Sequence, residues 1–552
     1  MGFDEFLDYV GQFGKYQRVR YFLLCLFSVV AAWHSLNMVF VGAKPENHCR
    51  FPDVSNFTPR SLTVQDLATI FFIPPGEECR MYNISQTLEI WNAAGNNITS
   101  MVILGVNRSI VKCPLGSTFS TEKYKSTIVS EFELVCDRKF WVKTSKSVYF
   151  AGRLLGAAVF GHLSDSFGRR PMFFVAIVLL VVSGGVTAAS QNIFMFLPLY
   201  FLQGAAQTGA FLIAFTLSTE LVGPNYRVVT GFVIQIFYSI GYMSLAAIAY
   251  FLQEWRYLEA AITAPCVLFV IYWWFLPESV RWLLSQNRDK EAEKIIEDVA
   301  KANKVTLSPD IIESLKKSQS DQLTRKYTFM DFIRHWRILK LSLNIWFNWL
   351  VNALVYYGLS LNTENLGGNP YVNFCIAGAV EIPAYLVCIF LLNTVGRRIP
   401  LVAAMCIGGV ACIVSGNLPT EGNRMQITSI VLAMVGKFCI TGSYAIIYLM
   451  AAELFPTVVR NTGMGISSMS ARIGGILAPL FIDLKSVAQP LPIILFGGFA
   501  VASGLLALLL PETKGRPLPE RLEDVQETRW PWAHNKLEVR DGSQSIVELS
   551  DL

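Results

Sequence analysis

Charge is scarce in this chain: Asp, Glu, Lys and Arg make up only 16% of 552 residues, against 53% hydrophobic residues. Soluble domains carry about 25% charged residues, so an ordinary water-soluble architecture is excluded. Catalytic signatures are also missing: HExxH, GxSxG and GxxxxGK[ST] do not occur, and no His/Cys cluster has metal-binding spacing. A zinc protease, a serine hydrolase of the elbow type and a P-loop enzyme are thereby excluded. No enzyme activity, resident cofactor, metal or nucleic-acid partner is expected. The N-terminus lacks a short apolar core with a small-residue cleavage site, and Phe3 to Arg20 carries acids and bases, so no cleaved signal is expected.

What is abundant is long apolar runs. A hydrocarbon core of about 30 Å takes about 20 apolar residues in a helix. Twelve such runs occur, near 21–43, 143–163, 171–189, 193–218, 228–252, 258–276, 341–361, 371–393, 399–418, 427–450, 461–484 and 490–510. An all-α membrane protein with twelve transmembrane helices is expected, in contact with lipid throughout.

Two signals orient it. The 44–142 loop holds every N-x-Ser/Thr sequon of the chain, at Asn56, Asn83, Asn97 and Asn107, which marks it as extracellular or luminal. The same loop holds Cys49, Cys79, Cys113 and Cys136, which suggest two disulfides with three possible pairings. Independently, Arg169-Arg170 and Arg397-Arg398 fall in loops that an external first loop places inside, whereas the 190–192 and 362–370 connections lack Lys and Arg. Both termini are expected in the cytoplasm, with the charged 278–340 segment forming solvated amphipathic helices on that face.

An internal repeat divides the chain. Asp165-x-x-Gly168-Arg169-Arg170 after span 2 returns as Asn393-x-x-Gly396-Arg397-Arg398 after span 8. Glu220 to Arg227 after span 4 returns as Glu453 to Arg460 after span 10, and Pro277-Glu278-Ser279 after span 6 as Pro511-Glu512-Thr513 after span 12. Offsets of 228, 233 and 234 make two six-helix bundles. The expected organisation is a 1–20 cytoplasmic N-terminus, a 21–276 bundle containing the extracellular loop, a 277–340 linker, a 341–510 bundle and a 511–552 tail.

On these motifs the chain resembles a known superfamily. Gly161-His162-Leu163-Ser164-Asp165-Ser166-Phe167-Gly168-Arg169-Arg170 is similar to the loop 2–3 signature of the major facilitator superfamily. Pro277-Glu278-Ser279-Val280-Arg281-Trp282-Leu283-Leu284 is similar to the motif after span 6 of its sugar-porter and organic-ion branches. The large loop between spans 1 and 2, with Ala452-Glu453-Leu454-Phe455-Pro456-Thr457-Val458-Val459-Arg460-Asn461, resembles the organic cation, anion and carnitine transporters, whose loop commonly carries six cysteines rather than four. The motif residues Asp165, Gly168, Arg169, Arg170, Glu220, Arg227, Glu278, Arg281, Gly396, Arg397, Arg398, Glu453, Arg460 and Glu512 read as a latch. Arg and carboxylate on one rim can clamp helix ends in one conformation and release them in another, without touching solute.

An ionisable side chain at the midplane costs at least about 2.5–3.5 kcal/mol and needs a partner or a wet cavity. Arg153, Glu381, Lys437 and Arg472 each lie ten or eleven residues into a span. The resemblance places Arg472 where cation carriers have Asp and anion or carnitine carriers have Arg. A guanidinium can engage a carboxylate bidentately and repels an ammonium. Glu381, as in the cation and carnitine members, offers an anionic counterpart for an amine, although it can equally neutralise Lys437 or Arg472 in a fixed ion pair. Arg153 stands where relatives have a small or apolar residue, either paired or snorkelling. Trp349, Tyr356, Tyr357, Tyr238 and Gln235 match cavity positions by resemblance, with His34, Asn37, Tyr444 and Tyr448 as further candidates; aromatic faces hold cationic head groups for about 0.5–2 kcal/mol.

The expectation is a polyspecific alternating-access carrier of small organic ions at the plasma membrane, with zwitterions such as carnitine or carboxylate-bearing anions favoured. A potential-driven organic cation carrier is the alternative, followed by a sugar porter or a transport-dead receptor. Uphill uptake of a zwitterion needs a coupled ion such as sodium, or exchange, and no motif identifies that ion. The C-terminal Ser550-Asp551-Leu552 fits a carboxylate-capture motif for a PDZ partner.

Overall fold

The computed structural model describes residues 3–50, 72–74, 77–93, 108–306, 334, 336–363, 366–419, 423–456, 459–515 and 519. The first half holds α1 (Lys15–Leu36), α2 (Phe140–Phe167), α3 (Arg169–Ala188), α4 (Ile193–Leu221), α5 (Pro224–Phe251) and α6 (Trp255–Thr263). The second holds α7 (Trp336–Leu361), α8 (Pro370–Thr394), α9 (Arg398–Asn417), α10 (Asn423–Leu454), α11 (Arg460–Asp483) and α12 (Leu491–Ala507). Among the described residues, ten spans are long and apolar enough to cross a bilayer. The other two are α12, which is apolar but has 17 residues, and α2, which carries Lys143, Lys146 and Arg153.

Two spans are irregular where proline interrupts them. α6 passes into 3-10 helix over Ala264–Trp274, with Pro265 at its start. α8 breaks at Val380 between Pro370–Ala379 and Glu381–Thr394, three residues ahead of Pro383. Proline has no N–H to give and its ring crowds the preceding turn, so neither helix continues regularly through it.

The repeat seen in sequence is also a repeat in packing. α1 packs on α5, α2 on α4 and α3 on α6; six helices later α7 packs on α11, α8 on α10 and α9 on α12. Lipid tails are as apolar as these faces, so close backbone approach holds spans together. A Cβ on Gly409 of α9 would stand 2.7 Å from the Gly497 carbonyl of α12, and one on Gly497 would stand 2.5 Å from that of Gly409. The two halves meet along α2–α11 and α5–α8.

At one end lies the loop between α1 and α2. Strands β1 (Asn47–Cys49) and β4 (Ser117–Phe119) pair antiparallel, as do β2 (Arg80–Tyr82) and β3 (Ile110–Lys112). Of the three possible pairings the disulfides are Cys49–Cys113 and Cys79–Cys136, which tie the two ribbons together and to the start of α2. Asn83 is half-buried at the end of β2. Asn56, Asn97, Asn107 and the Ser550-Asp551-Leu552 tail lie outside the described residues.

At the opposite end, Asp289–Asn303 is an amphipathic helix that buries Ala292, Ile296, Val299 and Ala300. Ile296 and Val299 pack on Phe6, Leu7, Val10 and Tyr16, joining the linker to the N-terminal helix Phe3–Val10 and the start of α1.

Candidate solute-binding site

A cavity of about 420 Å³ lies between the halves, lined from α2, α4, α5, α7, α8, α10 and α11. Its lining includes Gln235, Tyr238, Trp349, Tyr356, Tyr357, Tyr444, Tyr448 and Arg472 among the residues expected from sequence. It runs toward the end where Thr219, Arg227 and Ala452 stand, the end that also carries the Gly168 and Gly396 motifs. The opposite end is shut: Lys143 of α2 pairs with Asp483 of α11 at 2.5 Å, the Tyr371 hydroxyl donates to the Lys123 carbonyl at 2.8 Å, and Phe40 stacks on Tyr371 at 5.3 Å.

Positive charge dominates the interior. Arg153 donates to the Thr208 hydroxyl (3.0 Å) and the Tyr357 hydroxyl (2.9 Å), with its guanidinium 5.1 Å from the Tyr357 ring centre. Arg472 donates to the Ser468 carbonyl at 2.7 Å and to the Ser468 hydroxyl. Neither has a carboxylate in ion-pair range among the described residues, and no Asp or Glu occurs in the described lining. Beside them stand packed aromatics, with Trp349 5.1 Å from Tyr448 and Tyr356 5.2 Å from Tyr357.

Four candidates do not line this cavity. Glu381 is fully buried 2.9 Å from the buried Lys437. Its other contacts are donors: the Tyr356 hydroxyl at 2.6 Å and the Ser239 hydroxyl at 2.7 Å. Lys437 donates to the Ser360 hydroxyl at 2.7 Å and lies 3.3 Å from the Tyr356 ring centre. The fixed ion pair is therefore the arrangement adopted, because each charge at this depth finds its complement on the neighbouring helix. His34 and Asn37 belong to a separate polar cluster inside the first half, bonded to Gln203 (2.8 Å) and Glu259 (2.7 Å) respectively.

The motif residues build the same corner twice. Gly168 has φ +105° and Gly396 φ +123°, a left-handed region that favours glycine. The turn aims the first N–H groups of α3 at Glu278, which accepts from Arg169 (3.0 Å) and Arg170 (3.2 Å); those of α9 meet Glu512 from Arg397 (2.9 Å) and Arg398 (2.9 Å). A carboxylate at a helix N-terminus satisfies N–H groups that have no partner within the helix. Arg169 reaches Asp165 (3.0 Å) and Glu220 (3.6 Å), and Arg397 reaches Glu453 at 2.9 Å. Each of these pairs stays within its own half. Arg460 donates to the Phe455 carbonyl at 3.2 Å, Arg281 sits on the short helix Val280–Ser285, and Arg227 lines the mouth of the cavity.

The profile described as "Sugar (and other) transporter" matches residues 79–524. The organic cation transporter protein of Drosophila melanogaster is 40% identical over 536 residues, 95% of this chain and 94% of the fly protein. Human organic cation/carnitine transporter 2 is 36% identical over 531 residues, 95% of this chain and 94% of its own length. The chain belongs to the organic cation/carnitine transporter family, solute carrier family 22.

Membership of solute carrier family 22 fits the fold. The inward-open xylose transporter XylE of E. coli superposes with a TM-score of 0.60 at 15% identity, over 91% of this chain and 98% of that one. The human organic anion transporter MFSD10 gives 0.51 at 12% identity, over 89% and 99%. At those identities the likeness concerns the major facilitator fold alone.

Sequence reading missed part of the lining: Phe150, Gln207, Thr208, Tyr385 and Thr441. Gln203, Gln207 and Thr208 were visible as polar residues recurring at helical spacing in an otherwise apolar span. Glu259 was missed because it falls at the second residue of the hydropathy segment, where a charge passes for an interfacial one; α6 in fact starts at Trp255 and leaves Glu259 only 1% exposed.

Proposed function

We propose that the chain is a polyspecific alternating-access carrier of small organic ions bearing a carboxylate, either zwitterions such as carnitine or organic anions. The observation that carries this reading is the pair Arg153 and Arg472 facing one cavity without an acidic partner among the described residues, while Glu381 is paired with Lys437. Two uncompensated guanidinium groups in a poorly hydrated space are complementary to a carboxylate and repel a simple ammonium. The aromatic group of Trp349, Tyr356, Tyr444 and Tyr448 supports the zwitterion in particular, since ring faces can hold its cationic head.

The alternative is an organic cation carrier, in keeping with the names of the relatives. Uptake of tracer carnitine, one organic anion and tetraethylammonium into cells expressing wild type, R472A and R472D separates the two. The carboxylate reading expects carnitine and anion uptake to lose affinity by roughly tenfold or more in R472A, the equivalent of about 1.5–3 kcal/mol. Tetraethylammonium should be unaffected or improved. Wild type that carries only tetraethylammonium overturns the reading.

In the cell, the proposed setting is the plasma membrane, with the sequon-bearing loop outside and both termini in the cytoplasm. The two bundles rock about the central cavity, and the corners at Gly168 and Gly396 hold each bundle together as it moves. A PDZ domain is the proposed partner of Ser550-Asp551-Leu552; loss of pull-down on deleting Leu552 tests it.

A further inference from the structure

We propose that Glu259 is a proton-binding site coupled to solute movement; this rests on the carrier reading above. Glu259 is 1% exposed, and among the described residues no Lys or Arg lies in ion-pair range of it. In this it differs from Glu381, which has Lys437. A buried carboxylate without a counter-charge is costly at membrane depth, so its charge has to be cancelled by a bound cation.

The surroundings favour a proton over a metal ion. Asn37 Nδ2 donates to one carboxylate oxygen at 2.7 Å and Gln203 Nε2 donates to the other, so amide hydrogens fill the positions a metal ion would take. Gln203 Nε2 also lies 2.8 Å from His34 Nδ1, and the Tyr200 hydroxyl donates to Asn37 Oδ1 at 2.7 Å. Gln203 Oε1 is buried and has no partner among the described residues. Rotating the Gln203 amide by half a turn puts Oε1 against Glu259, where a protonated carboxyl would supply the missing donor, while His34 as its Nδ1–H tautomer donates to the same oxygen. The Gln203–Glu259 contact can therefore be made with the ionised carboxylate in one amide orientation and with the protonated acid in the other. The titratable groups facing Glu259 are His34 from α1, Tyr149 from α2, Tyr200 from α4 and Cys266 beyond α6, whose Sγ is 3.5 Å from His34 Nε2.

Two helices bring this site close to the cavity. Gln203 lies one turn, about 6 Å, from the lining residue Gln207 on α4. On α2 the buried Tyr149, within electrostatic reach of both Glu259 and Arg153, lies one turn before Arg153. On this proposal Arg153 and Glu259 communicate through the intervening Tyr149: positive charge at Arg153 favours the anionic carboxylate, and a solute carboxylate bound at Arg153 cancels that charge. Proton and solute then bind more tightly together than apart, and by reciprocity each promotes the other. The proton enters Glu259 from water on one side and leaves to water on the other, travelling with the solute.

The test uses full-length protein in liposomes containing a pH-reporting dye, with tritiated carnitine as the probe. Wild type should take up carnitine several-fold faster with the outside acidic than at equal pH, and adding carnitine should acidify the lumen. E259Q should keep carnitine counterflow, which needs only binding and rocking, and lose both the gradient stimulation and the acidification. Stimulation surviving in E259Q, or a sodium gradient replacing the proton gradient in a Glu259-dependent way, overturns the proposal. An infrared pH titration reads the site without any solute: a protonated-carboxyl band should titrate in wild type and be missing in E259Q. No such band in wild type overturns the proton site even where carnitine moves. A titrating band with no carnitine counterflow in wild type instead indicts the carrier reading.

Discussion

The Glu381 carboxylate lies 2.9 Å from the Lys437 ammonium, both fully buried, and the Ser239 hydroxyl from the other half donates to Glu381 at 2.7 Å. A charge pair inside the second bundle thus also makes a contact across the interface between the bundles. Removing one member leaves the other as an uncompensated buried charge, which costs about 3–5 kcal/mol, whereas replacing both with apolar residues of similar volume is often neutral. E381Q and K437M alone should each lower the melting temperature of detergent-purified protein, and E381L/K437M should recover most of it. Unchanged melting in both single variants would show that the pair is not structural.

Arg153 holds Thr208 of its own half and Tyr357 of the other, and on the proposed function it would both bind solute and sense closure. R153M should raise the apparent KM for carnitine and organic anions roughly tenfold or more, corresponding to about 1.5–3 kcal/mol, with surface expression unchanged. Y357F removes one hydroxyl acceptor and leaves the charge, so a smaller rise is expected. Equal defects in both variants for anions and tetraethylammonium alike would assign Arg153 to rocking rather than binding.

The duplicated corner gives a sharp contrast among glycines of one motif. A Cβ at Gly168 would stand 2.4 Å from Glu278 Oε2 at φ +105°, whereas one at Gly161 meets nothing within 4 Å. G168A should abolish most uptake while G161A stays near wild type, measured as tracer uptake normalised to surface protein. G396A should resemble G168A, because Glu512 stands 2.9 Å from the corresponding position at φ +123°.

The two corner carboxylates respond oppositely to pH. Burial pushes Glu278 above the ordinary carboxylate value despite N–H donors from Ser279, Arg170 and Arg169. Burial also acts to raise Glu512, but four backbone N–H groups, of Arg397, Arg398, Lys514 and Thr513, outweigh it and hold Glu512 below the ordinary value. With its folded value depressed, Glu512 contributes stability that is present above the unfolded carboxylate value and lost as pH falls through the folded one. With its folded value raised, Glu278 contributes in acid, and that contribution disappears as pH rises through the folded value. Melting curves across acid pH should show E512Q less stable near neutrality with a weaker acid loss, and E278Q without the opposing trend.

On the loop, enzymatic deglycosylation should lower the apparent mass by several glycans, and joint mutation of Asn56, Asn83, Asn97 and Asn107 should abolish the shift. A shift that persists in the quadruple mutant would overturn the outward placement of the loop. Non-reducing peptide mapping should recover Cys49 linked to Cys113 and Cys79 linked to Cys136.

Much of the architecture was legible in the chain because its cause is one-dimensional. A bilayer demands long apolar runs, and a duplicated plan leaves Gly168 and Gly396, Glu278 and Glu512 at near-constant offset. The charge of Arg472 and the aromatic run Tyr356-Tyr357 were visible for the same reason: a polar or bulky residue inside such a run stands out. Tertiary packing alone decided where each buried charge finds its complement. It paired Glu381 with Lys437, which stands on the next helix in space, 56 residues later in sequence, left Arg153 and Arg472 facing one cavity without an acid among the described residues, and drew Glu259 from the edge of its span into a cluster with His34, Asn37 and Gln203. Electrostatic pairing depends on a few ångströms between helices distant in the chain, and no spacing along the sequence encodes that distance.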